Sequence, residues 1–286
     1  MRWLPPALFS VLFFSAPAAF ASPSLDFAPV SGLSESLEGI RAGALKLRLE
    51  NRSVAPAVLL PEAAPVPDAV PDISSYPVRG IDISHYQDSI DWAKVGTSGL
   101  SFVYIKATEG TDLVDDMFKR NWKGASDAGL LKGAYHFYNF CAGGAVQADF
   151  FIKNVPATPG ALPPTVDLER SSSCRKMPTR AAFRKSLAAF TAKIQAAYGR
   201  KPVLYTNADI YGLYLQGDSA DYRIWFTDIH NTQPQLPEPR AWTFWQYSFK
   251  GRVPGIDGPV DLDVYRETPE ALAALTLEEN TLLALR

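Results

Sequence analysis

Two acidic residues separated by one position, Asp167 and Glu169, are the strongest candidates for chemistry in this chain. They lie in a short apolar run after Pro163 and Pro164, and this composition predicts a buried strand that begins after the prolines. Residues two apart on a strand point to the same face, with Cα atoms roughly 6–7 Å apart. Two carboxyl groups that close favour one protonated and one ionised member. Such a pair can break a glycosidic bond.

Strands and helices alternate through the region that contains this pair. The predicted strands are residues 80–84, 102–107, 133–138, 165–169, 203–206, 224–227, 243–247 and 260–264, and the predicted helices are residues 115–128, 145–154, 179–198 and 208–215. The alternation along the first five strands predicts a parallel sheet, and the last three strands leave little room for helices. The pattern predicts an α/β protein with an eight-stranded barrel that lacks its late helices.

Polar or aromatic residues stand at the end of nearly every predicted strand. The chemistry of such barrels gathers at the carboxyl ends of the strands, so we expect a carboxylate-lined pocket with aromatic walls. The candidates at these ends are Asp82, Lys106, Glu109, His136, Tyr138, Asp167, Glu169, Gln246, Tyr247 and Asp261. Some of these residues could have a structural role instead. Lys106 and Glu109 could form a plain ion pair, and His136 could be a hydrogen-bonded structural group. Asp263 is expected at a turn or on the surface.

Charge and motif content argue against several function classes. The net charge of −2 gives no support for a nucleic-acid partner. The three histidines are scattered without metal-ligand spacing, and neither a phosphate-binding loop nor a Gly-x-Ser-x-Gly motif occurs. We therefore predict no metal, no cofactor and no nucleotide, and we expect a monomer.

The N-terminal region predicts export. Residues 1–21 combine Arg2, an uncharged apolar stretch and the small-x-small sequence at residues 19–21, which is typical of a cleaved signal peptide. An uncleaved anchor is the alternative. Residues 22–76 are rich in Pro and Ala and predict an extended leader and linker. The expected location is periplasmic or secreted, without stable membrane insertion after cleavage.

Cys141 and Cys174 are the two cysteines of the chain. An even pair in an exported protein favours one disulfide, and two buried free thiols are the alternative. At the other end of the chain, residues 268–286 begin with Thr-Pro-Glu and predict a C-terminal helix that packs on the barrel.

Several segments resemble glycoside hydrolase family 25, the N-acetylmuramidases often called Chalaropsis-type lysozymes. In chain order they are Gly80–Gln87, Tyr104–Gly110, Gly133–Tyr138, Val166–Glu169, Trp245–Ser248 and Gly258–Leu262. The resemblance covers about residues 77–266, and we expect the catalytic barrel to span residues 77–267. It implies a flattened, incomplete TIM-like barrel, with five β/α units followed by three further strands.

The resemblance also implies cleavage of the β-1,4 bond between N-acetylmuramic acid and N-acetylglucosamine in peptidoglycan. By motif position, Glu169 resembles the general acid. Asp167 resembles the partner that tunes this acid and steers the substrate 2-acetamido group, and Asp82 and Asp261 resemble the other two acidic residues of the site. The chain departs from the pattern at Asp263, where the family often has Asn. The expected substrate-binding residues are Tyr138, Tyr247, Gln246, Lys106, Glu109 and His136.

Two other functions stay open at this point. The chain could be a catalytically inactive peptidoglycan-binding protein, or it could hydrolyse another N-acetylated polysaccharide such as chitin. The spacing of Asp167 and Glu169 fits either inverting or retaining geometry. The resemblance favours assistance by the substrate acetamido oxygen without a covalent enzyme intermediate.

Overall fold

The computed structural model describes residues 70–172 and 174–285. The predicted signal peptide (1–21) and leader residues 22–69 lie outside this part of the chain. The last leader residues contact the barrel: Asp72 N donates to Thr232 O (3.0 Å), and the Tyr76 hydroxyl donates to Gln233 Oε1 (2.7 Å). The packed region therefore begins earlier than the predicted boundary at residue 77.

The strands of the described residues form one sheet that closes on itself. They are β1 (Val78–Ile83), β2 (Phe102–Glu109), β3 (Leu113–Val114), β4 (Leu131–Phe137), β5 (Thr165–Leu168), β6 (Val203–Thr206), β7 (Ile224–Thr227), β8 (Phe244–Gly251) and β9 (Val260–Tyr265). The order is β1-β9-β8-β7-β6-β5-β4-β2-β3, and pairing of β1 with β2 closes an eight-stranded barrel. The eight predicted strands are confirmed, and β3 is an addition.

Strand directions match the predicted architecture. The strands β1, β2, β4, β5, β6, β7 and β8 each run parallel to the next in this series. Strand β9 is antiparallel to both of its neighbours, β8 and β1. The short connection between β8 and β9 explains this reversal, because a parallel neighbour would need a long crossover. The α/β fold class, an incomplete barrel with five β/α units followed by three further strands, is confirmed.

The helices are α1 (Trp92–Val95), α2 (Phe118–Asp127), α3 (Gly144–Asn154), α4 (Arg180–Tyr198), α5 (Ala208–Ile210), α6 (Pro269–Ala273) and α7 (Glu279–Ala284), with a 3₁₀ turn at His85–Gln87 and a π-type turn at Tyr211–Leu215. Helix α4 begins after Thr179, whose hydroxyl accepts from Ala182 N, and ends at Gly199, where φ is 70°. Both ends agree with the sequence.

The C-terminal region forms two short helices instead of the single predicted helix. Between them, Leu277 N donates to Ala161 O (2.7 Å) and Leu277 O accepts from Gly160 N (2.9 Å). These bonds to the loop before β5 take backbone groups that a continuous helix would need for itself, so the helix is interrupted there.

Aromatic rings fill the barrel interior at the amino ends of the parallel strands. We call this layer the aromatic floor: Phe102, Tyr104, Trp225, Phe244 and Tyr265. All five are at most 2% exposed. Gly133 on β4 makes room for the Tyr104 ring, because a Cβ atom at this position would collide with the ring. A second apolar core lies between the outer face of the sheet and the helices.

Candidate active site

A cavity of about 190 Å³ opens at the carboxyl ends of the parallel strands, above the aromatic floor. Its lining residues are Asp82, Ile83, Ser84, Tyr86, Gln87, Lys106, Tyr135, Phe137, Asp167, Glu169, Tyr205, Trp225, Gln246 and Asp261. The four acidic residues predicted to be catalytic are among them. We call Asp82, Asp167, Glu169 and Asp261 the acidic cluster.

Strand β5 carries Asp167 and leads directly into Glu169. Asp167 is 7% exposed, and its Oδ1 is buried without a hydrogen-bond partner among the described residues. Burial raises the pKa of Asp167 well above its usual value, the charge of Glu169 raises it further, and Lys106 opposes the shift. Burial also raises the pKa of Glu169, again opposed by Lys106. The two groups therefore hold a proton at pH values where an exposed carboxyl has lost it.

Asp82 and Asp261 face each other across β1 and β9 in the sheet register. Gln246 Nε2 donates to Asp82 Oδ2 (2.7 Å) and to Asp261 Oδ2 (3.4 Å), while its Oε1 accepts from the Tyr205 hydroxyl (2.7 Å). Burial and the charge of Asp261 raise the pKa of Asp82, and burial and the charge of Glu169 raise the pKa of Asp261 to about 6. Gln246 thus lies in the cavity as expected and orients two of the acids.

Lys106 and Glu109 form an ion pair, which is the alternative that the sequence analysis considered for them. Lys106 Nζ lies 2.7 Å from Glu109 Oε2 and 4.7 Å from the centre of the Phe137 ring. Lys106 also lines the cavity, whereas Glu109 is not among the lining residues. The pair places a positive charge beside the acidic cluster, with a compensating negative charge behind it.

His136 lies on the opposite side of β4 from the cavity, so its expected contact with substrate is corrected. It is fully buried, with Nδ1 2.7 Å from Thr108 Oγ1 and Nε2 3.2 Å from Gln147 Oε1. Burial lowers its pKa to about 4. Because side chains alternate along a strand, the neighbours Tyr135 and Phe137 enter the cavity instead.

Tyr138 and Tyr247 also lie outside the cavity. Tyr138 is 0% exposed, packs among core rings and has its hydroxyl 2.8 Å from Ser186 Oγ. Tyr247 follows Gln246 on β8 and therefore faces the outside of the barrel, where its ring lies 5.7 Å from the Trp245 ring. Their predicted role in lining the cavity is corrected, because each lies on the outward side of its strand.

Several cavity residues were not singled out in the sequence. They are Tyr135, Phe137, Tyr205, Trp225 and Tyr86. Tyr86 is 79% exposed at the rim, and its ring lies 4.2 Å from that of His85. The strand register contains a signal for Tyr135: it pairs with Lys106, and residues opposite each other in a sheet share a face.

Asp263 differs from its expected place at a turn or on the surface. It is 0% exposed on the inward face of β9, one layer below Asp261. Its Oδ1 accepts a hydrogen bond from Trp225 Nε1 (2.8 Å). The acidic character of the site therefore extends down to the aromatic floor.

The predicted disulfide between Cys141 and Cys174 is confirmed. It joins the loop after β4 to the loop after β5, close in sequence to Glu169. Across residues 70–172 and 174–285, no group of three or more His, Cys, Asp or Glu side chains is arranged to hold a metal ion. The same residues contain no helix long and apolar enough to cross a membrane.

Comparison with known proteins identifies the family. The sequence profile of glycosyl hydrolases family 25 matches residues 81–256. The uncharacterized protein YegX of Escherichia coli strain K12 is 37% identical over 206 residues, which span 70% of this chain and 74% of that protein. Lysozyme M1 of Streptomyces globisporus is 37% identical over 209 residues, which span 69% of this chain and 71% of that protein.

A crystal structure shows the same relationship in three dimensions. The bacterial lysozyme from Streptomyces coelicolor matches with a TM-score of 0.66 and 37% identity, covering 71% of this chain and 98% of that chain. The barrel matches the irregular TIM-like barrel found in structures of glycosyl hydrolase family 25. The chain belongs to glycosyl hydrolase family 25.

Proposed function

We propose that this protein is a peptidoglycan hydrolase that cleaves the β-1,4 bond between N-acetylmuramic acid and N-acetylglucosamine. The observation that carries the proposal is the acidic cluster: its four carboxyl groups line one cavity at the strand ends. Membership of a family that includes lysozymes supports the substrate class. Peptidoglycan glycan strands are the proposed partner, and the protein acts as a monomer.

Glu169 is the proposed general acid. A carboxyl group can protonate the leaving oxygen only if it still holds its proton at the working pH. Burial of Glu169 raises its pKa and so favours the protonated form. As pH rises through this raised pKa, Glu169 loses its proton, and the alkaline side of the pH–rate profile falls.

Asp167 is the proposed partner that binds the 2-acetamido group. Its buried Oδ1 has no donor among the described residues, so it is available to accept the acetamido N–H. A donor at this oxygen favours the ionised form of Asp167. Substrate binding thereby concentrates the proton of the pair on Glu169. The oriented acetamido oxygen then attacks the anomeric carbon while the glycosidic bond breaks and Glu169 protonates the leaving oxygen. Water, deprotonated by Glu169, then opens the oxazolinium ring formed on the sugar, so no covalent bond to the enzyme is required.

Asp82 and Asp261 are proposed to stabilise the positive charge that develops on the sugar. Gln246 holds both carboxyl groups toward the cavity, and fixed groups of this kind stabilise charge without reorganising during the reaction. Lys106 limits the total negative charge of the site. We also propose that the signal peptide and the disulfide belong to an exported, periplasmic or secreted protein.

Mass analysis of fragments released from purified peptidoglycan tests the proposal. Wild-type protein should release fragments with reducing N-acetylmuramic acid ends. Glu169→Gln should fold normally and lose at least about a hundredfold in turnover. Asp149→Asn is the matched control, because it neutralises an exposed carboxyl whose salt bridge to Lys193 lies on the helices. Products with reducing N-acetylglucosamine ends would overturn the assigned bond.

The two other functions give different outcomes in the same experiment. An inactive wall-binding protein would bind peptidoglycan and release no fragments from it. A chitin hydrolase would shorten N-acetylglucosamine oligomers faster than it releases muramic acid ends. We favour the muramidase because the complete acidic cluster lines the cavity.

A further inference from the structure

Asp263 is a buried carboxyl that the proposed reaction does not use. Its Oδ1 accepts from Trp225 Nε1 (2.8 Å), and its Oδ2 is buried and receives no N–H donor from the described residues. Asp263 and Asp82 are diagonal neighbours on the inward face of β9 and β1, because Asp82 lies opposite Asp261 and Asp263 lies opposite Gly80 in the strand register. Ionised carboxylates only accept hydrogen bonds, so two carboxyl groups can bond to each other only when one of them carries a proton.

The surroundings decide which of the two groups carries that proton. Asp82 Oδ2 accepts from Gln246 Nε2 (2.7 Å), and Asp82 borders the cavity. Asp263 is 0% exposed. An ionised carboxylate is least costly where donors and solvent reach it, so the proton belongs on Asp263 and the charge on Asp82.

The largest effects of neighbouring charges on Asp263 come from other carboxyl groups. Facing it on the inward side are Asp82 from β1, Asp261 from β9, the phenol of Tyr104 from β2 and the indole N–H of Trp225 from β7. Each titratable group in this set is an acid. Burial, then the charges of Asp82 and Asp261, raise the pKa of Asp263 well above its usual value.

We propose that Asp263 is a positioning residue that remains a neutral carboxylic acid and donates an O–H hydrogen bond to Asp82, so that Asp82 stays ionised and oriented at the cavity. This inference rests on the proposed function for its consequence in catalysis. A neutral donor below Asp82 keeps a negative charge beside the substrate without adding another one to the acidic cluster. Asp263 itself does not border the cavity.

The test compares pH–rate profiles on purified peptidoglycan for Asp263→Asn and Asp263→Leu. The amide of Asn still accepts from Trp225 and donates to Asp82, but it cannot ionise. Turnover of Asp263→Asn should stay within about threefold of wild type, with both sides of the profile unmoved. In Asp263→Leu, Asp82 loses a bond that favours its charge, so the acidic side should move up by about one pH unit.

Two outcomes would overturn the inference. If Asp263 is ionised in the native protein, Asp263→Asn removes a buried negative charge, and the alkaline side of the profile moves to lower pH. If Asp263 only supports the packing of Trp225, Asp263→Leu loses activity equally at every pH. Asp149→Asn, on the surface, controls for loss of a carboxyl elsewhere.

Infrared spectroscopy at neutral pH keeps the test independent of the folding of Asp263→Leu. The wild-type spectrum should contain a carbonyl band of a neutral carboxylic acid that is lost in Asp263→Asn. Absence of this difference would overturn the inference even if every variant folds. If wild-type protein releases no fragments from peptidoglycan, the proposed function fails, while the infrared result still decides the protonation of Asp263.

Discussion

The two ends of the barrel interior are built from the same strands and have opposite character. At the lower end, the aromatic floor packs ring against ring, with centroids 4.8 Å apart for Tyr104 and Trp225 and 5.3 Å apart for Phe102 and Phe244. At the upper end, the acidic cluster gathers groups that repel one another. The floor buries apolar area and stabilises the fold, whereas the acidic cluster costs stability.

The difference between the ends explains the electrostatics of the site. Rings beneath the carboxyl groups take the place of water that would otherwise solvate their charges. Desolvation is accordingly the largest cause of the raised pKa of Asp82, Asp167, Glu169 and Asp261. The floor therefore serves the chemistry indirectly, because it lets the acidic cluster retain a proton at pH values where exposed carboxyl groups have lost theirs.

Breaking the floor should give the largest effect on stability. Phe244 is 0% exposed, and its ring contacts the rings of all four other floor residues. Phe244→Ala should therefore lower the free energy of unfolding by about 3–5 kcal/mol. Phe249, 43% exposed on the same strand, is the matched control, and Phe249→Ala should cost under about 1 kcal/mol. Urea unfolding measures both. Equal losses would contradict the role of the floor.

Removing a charge from the acidic cluster should raise the free energy of unfolding, whereas breaking the floor lowers it. The pKa of Asp261 is about 6 in the folded protein, above its model-peptide value of 3.8, so its ionisation costs stability as pH rises through this interval. Asp261→Asn should therefore raise the free energy of unfolding by about 1–2 kcal/mol at pH 8, after allowance for partial solvent exposure, and by less at pH 4.5.

The same substitution should lower turnover, because Asp261 lines the cavity and is proposed to stabilise the charge that develops on the sugar. Asp112→Asn on the exposed β2–β3 turn is the control and should change neither property. Urea unfolding at the two pH values and turnover on peptidoglycan give the measurements. A loss of stability at pH 8 in Asp261→Asn would mean that the acidic cluster stabilises the fold. This would contradict the contrast between the two ends of the barrel.

The smallest effects should come from the ion pair beside the cluster. Lys106 lowers the pKa of Asp167 and Glu169, and Glu109 raises the pKa of Asp167. Lys106→Met should therefore move the alkaline side of the pH–rate profile up by about 0.5–1 pH unit, and Glu109→Gln should move it down by less. Shifts in the same direction would show that the pair acts through packing rather than charge.

Much of the fold could be predicted because its signals are local. Pro residues before β5, the apolar periodicity of α4 and its end at Gly199 each depend on neighbouring residues, and the structure has them where the sequence places them. The interruption between α6 and α7 was missed because its cause is distant. Leu277 bonds to residues 160 and 161, and no nearby residue indicates this.

The acidic residues of the site were easier to place than its aromatic walls. Asp167 and Glu169 are two residues apart, so strand geometry puts them on one face whatever the register. For β4, the side that faces inward depends on pairing with β2, and the choice between His136 and Tyr135 could not be made from residue type alone. Asp263 is predicted at a turn or on the surface because a fully buried carboxyl is rare without a partner, and the partner that it has, Trp225, comes from a distant strand.

The most direct test of the account measures how the loss in Glu169→Gln depends on the leaving group. A sugar leaving group needs a proton from Glu169, whereas a dinitrophenolate departs without one. On peptidoglycan, Glu169→Gln should lose at least about a hundredfold in kcat, and on a dinitrophenyl glycoside of the same donor sugar it should lose less than about tenfold. Equal losses on both substrates would contradict the assignment of Glu169 as the proton donor.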